Sequence, residues 1–152
     1  MRQLAESIPE DDRRAGRVVS EIVRLIADAP ADVLAVHDLV HVDLSAANVL
    51  FDDEDRATAV VDWNLGVYRG DRHLALVQTR FDREWFVRRP HADDAELAAA
   101  RRLDDILHDR IAPATLRVYW AYWLRHHLPR AFRSGAPAVI DWQLELAESR
   151  LR

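Results

Sequence analysis

Residues 41–63 read HVDLSAANVLFDDEDRATAVVDW. Two short apolar runs, Asn48–Phe51 and Thr58–Val61, flank the polar segment DDEDRA, whose residues are typical of turns. This pattern predicts an antiparallel hairpin of two short strands. Because the first strand of such a hairpin starts where the second one ends, Asn48 and Asp62 are expected to lie close together.

The polar residues around this hairpin suggest a site for phosphoryl transfer. The carboxylate of Asp62 and the amide oxygen of Asn48 suit a hard cation such as Mg²⁺. Asp43, in the segment that enters the hairpin, is placed to orient a substrate hydroxyl and accept its proton. The alternative is that these residues only bond to local backbone, as Asp and Asn often do in turns. The spacing of Asp43, Asn48 and Asp62, together with His41, around one hairpin favours a phosphoryl-transfer site over this alternative.

The rest of the chain predicts a mostly helical protein, of class mostly α (α+β), with about five helices and one small hairpin. Residues 1–13 are polar and acidic and predict a loose lead-in, and residues 33–40 predict an extended segment or a buried loop. Five helices are expected. They run from residue 14 to about Ala29, from Asp71 to Pro90, from Asp93 to Ile111, from Pro113 to Pro129, and from Pro137 to the C-terminal residues.

The composition narrows the classes of function. A chain of 152 residues fits one domain, and a net charge of −5 gives no sign of nucleic-acid or membrane binding. All 21 basic residues are Arg, so no lysine can clamp a phosphate. The chain has no Cys, which excludes disulfides and thiolate sites and is compatible with the cytoplasm. We expect neither a signal peptide nor a membrane span.

Three motifs resemble one known family. His41–Asn48 resembles the H-x-D-x-x-x-x-N catalytic loop of the protein-kinase-like fold, and in detail that of the aminoglycoside phosphotransferase family. Val60–Trp63 resembles that family's second metal motif, an apolar strand that ends in Asp-Trp. Gly70-Asp71 stands where the family has Gly-Asp-Pro at the start of the next helix. The resemblance covers residues 14–152 and implies the C-terminal lobe of a kinase-like fold, with the N-terminal lobe absent.

The resemblance also implies a role for each site residue. Asp43 would be the catalytic base, Asn48 and Asp62 would bind Mg²⁺ and through it the nucleotide, and His41 would be a structural residue of the catalytic loop. Members of the family transfer the γ-phosphate of ATP or GTP to a hydroxyl of a small molecule, such as an aminoglycoside, choline or homoserine. The resemblance therefore implies a transferase of the kinase type with a small-molecule acceptor.

Two departures from the family pattern affect this interpretation. The family's N-terminal lobe carries a phosphate-binding Lys, whereas the 40 residues before His41 contain none. The apolar surface that would meet the N-lobe is therefore expected to be covered by an N-lobe partner chain or in a homo-oligomer, or to carry compensating polar residues. In the helix after Gly-Asp-Pro the family has an Asp that braces the catalytic loop, and the matching residue here is Ala75. The alternative function is a truncated, non-catalytic C-lobe that serves as a binding module.

Other polar clusters give weaker hypotheses. His37, Asp38 and His41 suggest a metal-dependent hydrolase. His126-His127 lie in an aromatic helix, where at most one of two adjacent residues points inward. Several acidic residues of the later helices either attract a cationic acceptor or form an ordinary charged surface, which is the favoured reading; they are Asp104, Asp105, Asp109, Asp141 and Glu145.

Overall fold

The computed structural model describes residues 12–33, 37–63, 67–88 and 91–152, so most of the predicted lead-in lies outside the described residues. The mostly helical class is confirmed, with five α-helices in the described ranges. They are α1 (Arg13–Ala27), α2 (His73–Val87), α3 (Asp94–Arg110), α4 (Pro113–Ser134) and α5 (Pro137–Arg150). The strands are β1 (Asp38–His41), β2 (Val49–Phe51), β3 (Ala57–Val60) and β4 (Val67–Gly70), and a 3₁₀ turn spans Ala46–Asn48.

Side-chain caps explain where two of the helices begin. The Asp12 carboxylate accepts a hydrogen bond of 2.9 Å from the Ala15 amide at the start of α1. The Asp93 carboxylate accepts one of 2.7 Å from the Glu96 amide at the start of α3, as the sequence predicted. Before α2, Asp71 accepts a bond of 2.8 Å from the His73 amide.

The described chain divides into two compact units, the first of which contains α1, α4 and α5. Helix α1 packs against both of the other helices through apolar residues that recur at helical spacing. Arg14 joins α1 to α5 through ion pairs with Asp141 and Glu148. The buried core of this unit includes Val18, Ile22, Leu116, Tyr119, Trp120, Leu124, Leu128, Leu144 and Ala147.

The predicted break of the fourth helix at Pro129 is wrong, since α4 continues through Pro129 to Ser134. A proline inside a helix removes one backbone hydrogen bond and crowds the preceding turn. Here Leu128, Pro129 and Ala131 are all buried. Tertiary packing of this turn outweighs the local preference against proline.

The second unit lies within Ala31–Ala112 and contains the strands together with α2 and α3. Helices α2 and α3 pack against each other and are joined by a buried cation. Arg80 is 5% exposed and lies 2.8 Å from a Glu84 oxygen and 3.0 Å from an Asp104 oxygen. Helical spacing from Phe81 would place Trp85 on the apolar face of α2, but Trp85 is 53% exposed. The buried face of α2 runs through Arg80, Phe81 and Glu84 instead.

Two antiparallel ribbons lie in this unit. The predicted hairpin is confirmed as β2 and β3, with Val49 opposite Val60. The ribbon of β1 and β4, in which Asp38 is opposite Gly70, was not predicted. In the predicted extended segment 33–40, β1 covers residues 38–40, and residues 34–36 lie outside the described residues. None of the described helices has the length and apolar character needed to cross a membrane.

Candidate functional site

The two ribbons hold a short loop between β1 and β2, residues 42–48, which we call the site loop. It begins after His41, the last residue of β1, and ends in the 3₁₀ turn that contains Asn48. Strand β3 ends at Val60, so Val61 and Asp62 follow directly from the hairpin. Local strand geometry therefore brings the site loop to the end of β3.

His41 connects these two segments. The residue is 5% exposed, and its Nε2 lies 3.0 Å from the carbonyl oxygen of Val61. Its Nδ1 accepts a hydrogen bond of 3.1 Å from the Asp43 amide. Because Nδ1 is an acceptor, the ring proton is on Nε2, which donates to Val61. The edge of the Trp63 ring packs against the imidazole, with centroids 4.5 Å apart. His41 thus acts as a structural link in this geometry.

Asn48 makes a second connection. Its Nδ2 donates a hydrogen bond of 2.8 Å to the Asp43 carbonyl and lies 3.4 Å from the Asp43 carboxylate oxygen Oδ2. Its own carbonyl accepts a bond of 2.9 Å from the Val61 amide. Because Nδ2 faces Asp43, the side-chain oxygen is the atom that Asn48 can offer to a cation.

Asp62 has an unusual backbone conformation. Its φ is +61°, in the left-handed region, which non-glycine residues occupy rarely and often at functional sites. Its side chain is exposed, whereas Asp43 is partly buried. The structure therefore brings Asp43, Asn48 and Val61 into one hydrogen-bonded network, and the exposed Asp62 follows Val61 directly in the chain.

The donor atoms fit Mg²⁺ better than a transition metal. Asn48 and Asp62 offer one amide and one carboxylate oxygen, and Mg²⁺ is usually held by one or two protein oxygens together with water and phosphate. Within the described ranges, no group of three or more His, Cys, Asp or Glu side chains is placed to hold a metal ion. Within that part of the chain, His37, Asp38 and His41 therefore do not form a metal-binding group of this kind. Asp38 instead contacts Arg72, and both His41 nitrogens are engaged by backbone.

Two residues of α2 belong to this site but were not predicted. The Thr79 hydroxyl donates a hydrogen bond of 2.6 Å to the Leu44 carbonyl in the site loop. Burial, together with the nearby negative charge of Asp43, raises the pKa of Asp82 to about 6. The helical spacing from Ala75 to Thr79 and Asp82 was the signal in the sequence, since it places them on one face.

A cavity of about 790 Å³ lies beside the site loop. His41, Leu44, Trp63 and Ala75 line it, so Ala75 faces the same space as the site loop. Three arginines also line it, Arg72, Arg102 and Arg110. The cavity is thus apolar along the site loop and basic along the helices.

The other predicted clusters have structural partners. Asp104 pairs with Arg80, Asp109 with Arg110, and Asp141 with Arg14, which supports an ordinary charged helix surface. His126 is exposed and His127 is half-buried, which agrees with the prediction that at most one of the two points inward. Burial lowers the pKa of His127 to about 4, with smaller contributions from Arg130 and His126, so this imidazole is neutral at pH 7.

Comparison with solved structures finds a likeness over nearly the whole chain. The neighbour is aminoglycoside phosphotransferase APH(4)-Ia, in the crystal structure of a thermostable mutant in a ternary complex with AMP-PNP and hygromycin B. The two chains are 25% identical, with a TM-score of 0.64 over 93% of this chain. The chain has an aminoglycoside phosphotransferase-like fold. No family model and no curated protein matches it.

The likeness to the phosphotransferase covers only part of that protein. This chain spans 45% of the neighbour, which corresponds to its C-terminal portion. The predicted resemblance to a kinase-like C-terminal lobe is confirmed at the level of fold. The hydrogen-bond network joins the two segments that resemble motifs of the aminoglycoside phosphotransferase family, His41–Asn48 and Val60–Trp63.

Proposed function

We propose that this chain is the catalytic C-lobe of a phosphotransferase that moves the γ-phosphate of ATP or GTP to a hydroxyl of a small molecule. The observation that carries the proposal is the network in which Asn48 bonds to both Asp43 and Val61. This network supports Asp43 as the proton acceptor, next to Asn48 and Asp62 as the residues that would hold Mg²⁺. The neighbour of known structure was solved with a nucleotide analogue and a small-molecule antibiotic, which supports the same reaction class.

In the proposed reaction, Asp43 accepts the proton of the acceptor hydroxyl as its oxygen forms a bond to the γ-phosphorus. The bond from that phosphorus to the β–γ bridging oxygen breaks, and the nucleoside diphosphate leaves. Asn48 fixes the site loop through the Asp43 carbonyl, which keeps the carboxylate oriented. Asn48 and Asp62 would hold Mg²⁺, which neutralises phosphate charge when bound.

The remainder of such an enzyme has to be supplied as well. Because this chain spans 45% of its neighbour and contains no Lys, we propose that an N-lobe outside residues 1–152, on a partner chain or from a second copy, adds further nucleotide contacts to those of Asn48 and Asp62. The second candidate function is a non-catalytic binding module. Ala75, at the position of the family's bracing Asp, favours that alternative because it removes one support of the site loop.

The deciding experiment is calorimetric titration with Mg²⁺ and AMP-PNP. Wild type, Asp62→Ala and Asp55→Ala would be compared. Asp55 is the matched control because its φ of +58° is also left-handed but lies in the hairpin turn. We expect wild type and Asp55→Ala to bind alike and Asp62→Ala to lose binding. Equal binding by all three variants would contradict the assigned metal ligand.

Activity would then be measured as nucleoside diphosphate release with a panel of acceptors that includes hygromycin B, choline and homoserine. Asp43→Asn keeps the size of the side chain but removes the proton acceptor, so turnover should fall by about 10²-fold or more while nucleotide binding persists. Nucleotide binding without turnover on any acceptor would favour the binding-module alternative.

A further inference from the structure

One face of α2 lies against the site loop. Ala75, Thr79 and Asp82 are separated by four and three positions, which places them on the same side of the helix. Ala75 shares a cavity wall with Leu44, and Asp82 experiences the negative charge of Asp43. The Thr79 hydroxyl also contacts the Leu44 carbonyl. These three observations place this face of α2 against residues 43 and 44 of the site loop.

The Thr79 hydroxyl makes the direct contact between the helix and the loop. It lies 2.6 Å from the Leu44 carbonyl oxygen and 3.0 Å from the Ala75 carbonyl oxygen of its own helix. A threonine inside a helix often bonds back to the carbonyl four residues earlier. A hydroxyl has one hydrogen, and here the shorter contact reaches 35 positions along the chain to the site loop. The Leu44 carbonyl adjoins Asp43, so the contact restrains the proposed base.

We propose that Thr79 is a positioning residue that anchors the site loop to α2 and thereby holds Asp43 beside Asn48. The family's bracing Asp matches position 75, where this chain has Ala. Thr79, one helical turn further along α2, makes the contact to the site loop instead. The anchoring of the loop stands on the structure itself. Its consequence for nucleotide and acceptor binding rests on the proposed function.

The test compares amide hydrogen exchange in wild type, Thr79→Val and Thr79→Ser. Valine keeps the shape of threonine without the hydroxyl, and serine keeps the hydroxyl. Thr58→Val is the matched control, because the Thr58 hydroxyl also donates to a backbone carbonyl, that of Leu50 at 3.2 Å, but in the exposed hairpin. Far-UV circular dichroism establishes that each variant is folded.

We expect Thr79→Val to speed exchange of the Asp43, Ser45 and Asn48 amides by about fivefold to tenfold, the effect of one hydrogen bond. Thr79→Ser should restore most of the protection, and Thr58→Val should leave these three amides unchanged. If Thr79→Val does not fold, Thr79→Ala is measured in its place. Unchanged exchange at the three amides in a folded Thr79→Val or Thr79→Ala protein would overturn the proposal.

Calorimetry with Mg²⁺ and AMP-PNP separates this inference from the proposed function. If wild type binds the nucleotide, Thr79→Val should bind it several-fold more weakly and Thr79→Ser should bind it like wild type. If wild type does not bind, the proposed function fails, while the exchange measurement still decides whether Thr79 anchors the loop. Equal affinity of wild type and Thr79→Val would overturn the link from the anchor to the site.

Discussion

The imidazole Nε2 of His41 lies 3.0 Å from the carbonyl oxygen of Val61, and this bond joins two segments that are 20 positions apart. The same ring accepts the Asp43 amide through Nδ1. One buried side chain therefore fixes both the proposed base and the residue that precedes the proposed metal ligand.

Replacing His41 with Phe should lower the free energy of unfolding by about 1–3 kcal/mol. Phe keeps the ring but leaves the Asp43 amide and the Val61 carbonyl without their partner. Chemical denaturation followed by fluorescence measures the change. His108→Phe is the control, because His108 also contacts a backbone carbonyl, that of Asp104, but at an exposed position. Equal losses in the two variants would contradict the linking role.

Asp55 and Asp62 both have a positive φ. Variants at these two positions therefore separate the steric cost of that backbone conformation from the role of the carboxylate. At each position the Gly variant should be more stable than the Ala variant by about 1 kcal/mol, because glycine adopts positive φ without steric cost. Thermal denaturation measures stability, and calorimetry measures nucleotide binding. Both Asp62 variants should lose binding, and both Asp55 variants should keep it. Binding by Asp62→Gly would show that the backbone, rather than the carboxylate, matters.

Asp82→Asn should stabilise the protein at pH 7 but not at pH 4. The folded-state pKa of about 6 lies above the ordinary value of 3.8, so the folded state holds this proton more tightly. Stability from this group is fully present below pH 4 and is lost as the pH rises through 6. Since Asp82 is partly solvated, we expect a gain of about 1–2 kcal/mol at pH 7.

Denaturation curves at pH 4, 5, 6 and 7 check this prediction. The difference between Asp82→Asn and wild type should grow across that range and level off above pH 6. Asp53→Asn, which changes an exposed carboxylate of the hairpin turn, is the control and should track wild type throughout. A pH-independent difference for Asp82→Asn would show that its charge is not the cause.

Removing the buried cation between α2 and α3 should be costly. Arg80→Leu removes the buried guanidinium that pairs with Asp104 across the two helices, while Glu84 keeps its pair with Arg88. Breaking a buried pair costs about 3–5 kcal/mol. Arg24→Ala removes an exposed pair with Glu21 and should cost less than about 1 kcal/mol. Urea denaturation distinguishes the two. Similar small losses would mean that Arg80 contributes little to holding the helices together.

Local patterns were sufficient to predict the hairpin and most helix starts. The polar turn at 52–57 fixes the pairing of β2 with β3, and Asp93 caps α3 as expected. The ribbon of β1 and β4 pairs residues 26 to 32 positions apart, and four-residue strands without a connecting turn leave no periodic signal. Pro129 was misjudged because burial of its turn is a property of the folded chain.

The site was predictable only as far as its motifs extend. The spacing predicted Asp43, Asn48 and Asp62 as site residues, and the structure joins Asn48 to Asp43 and to Val61, the neighbour of Asp62. The comparison with a phosphotransferase of known structure agrees with the fold. Thr79 was missed because its spacing from Ala75 indicates only that the two residues share a face of the helix, not what that face contacts. Its importance depends on a contact with Leu44 that only the tertiary structure creates.

The hydrogen bonds of the site have a consequence for how it forms. They span 2, 5, 13, 20 and 35 positions, and all of them lie within Ala31–Ala112. Short loops close at little entropic cost, and local contacts favour rapid folding. The geometry of the site can therefore assemble early, from one contiguous stretch of chain, before α4 and α5 have docked onto α1.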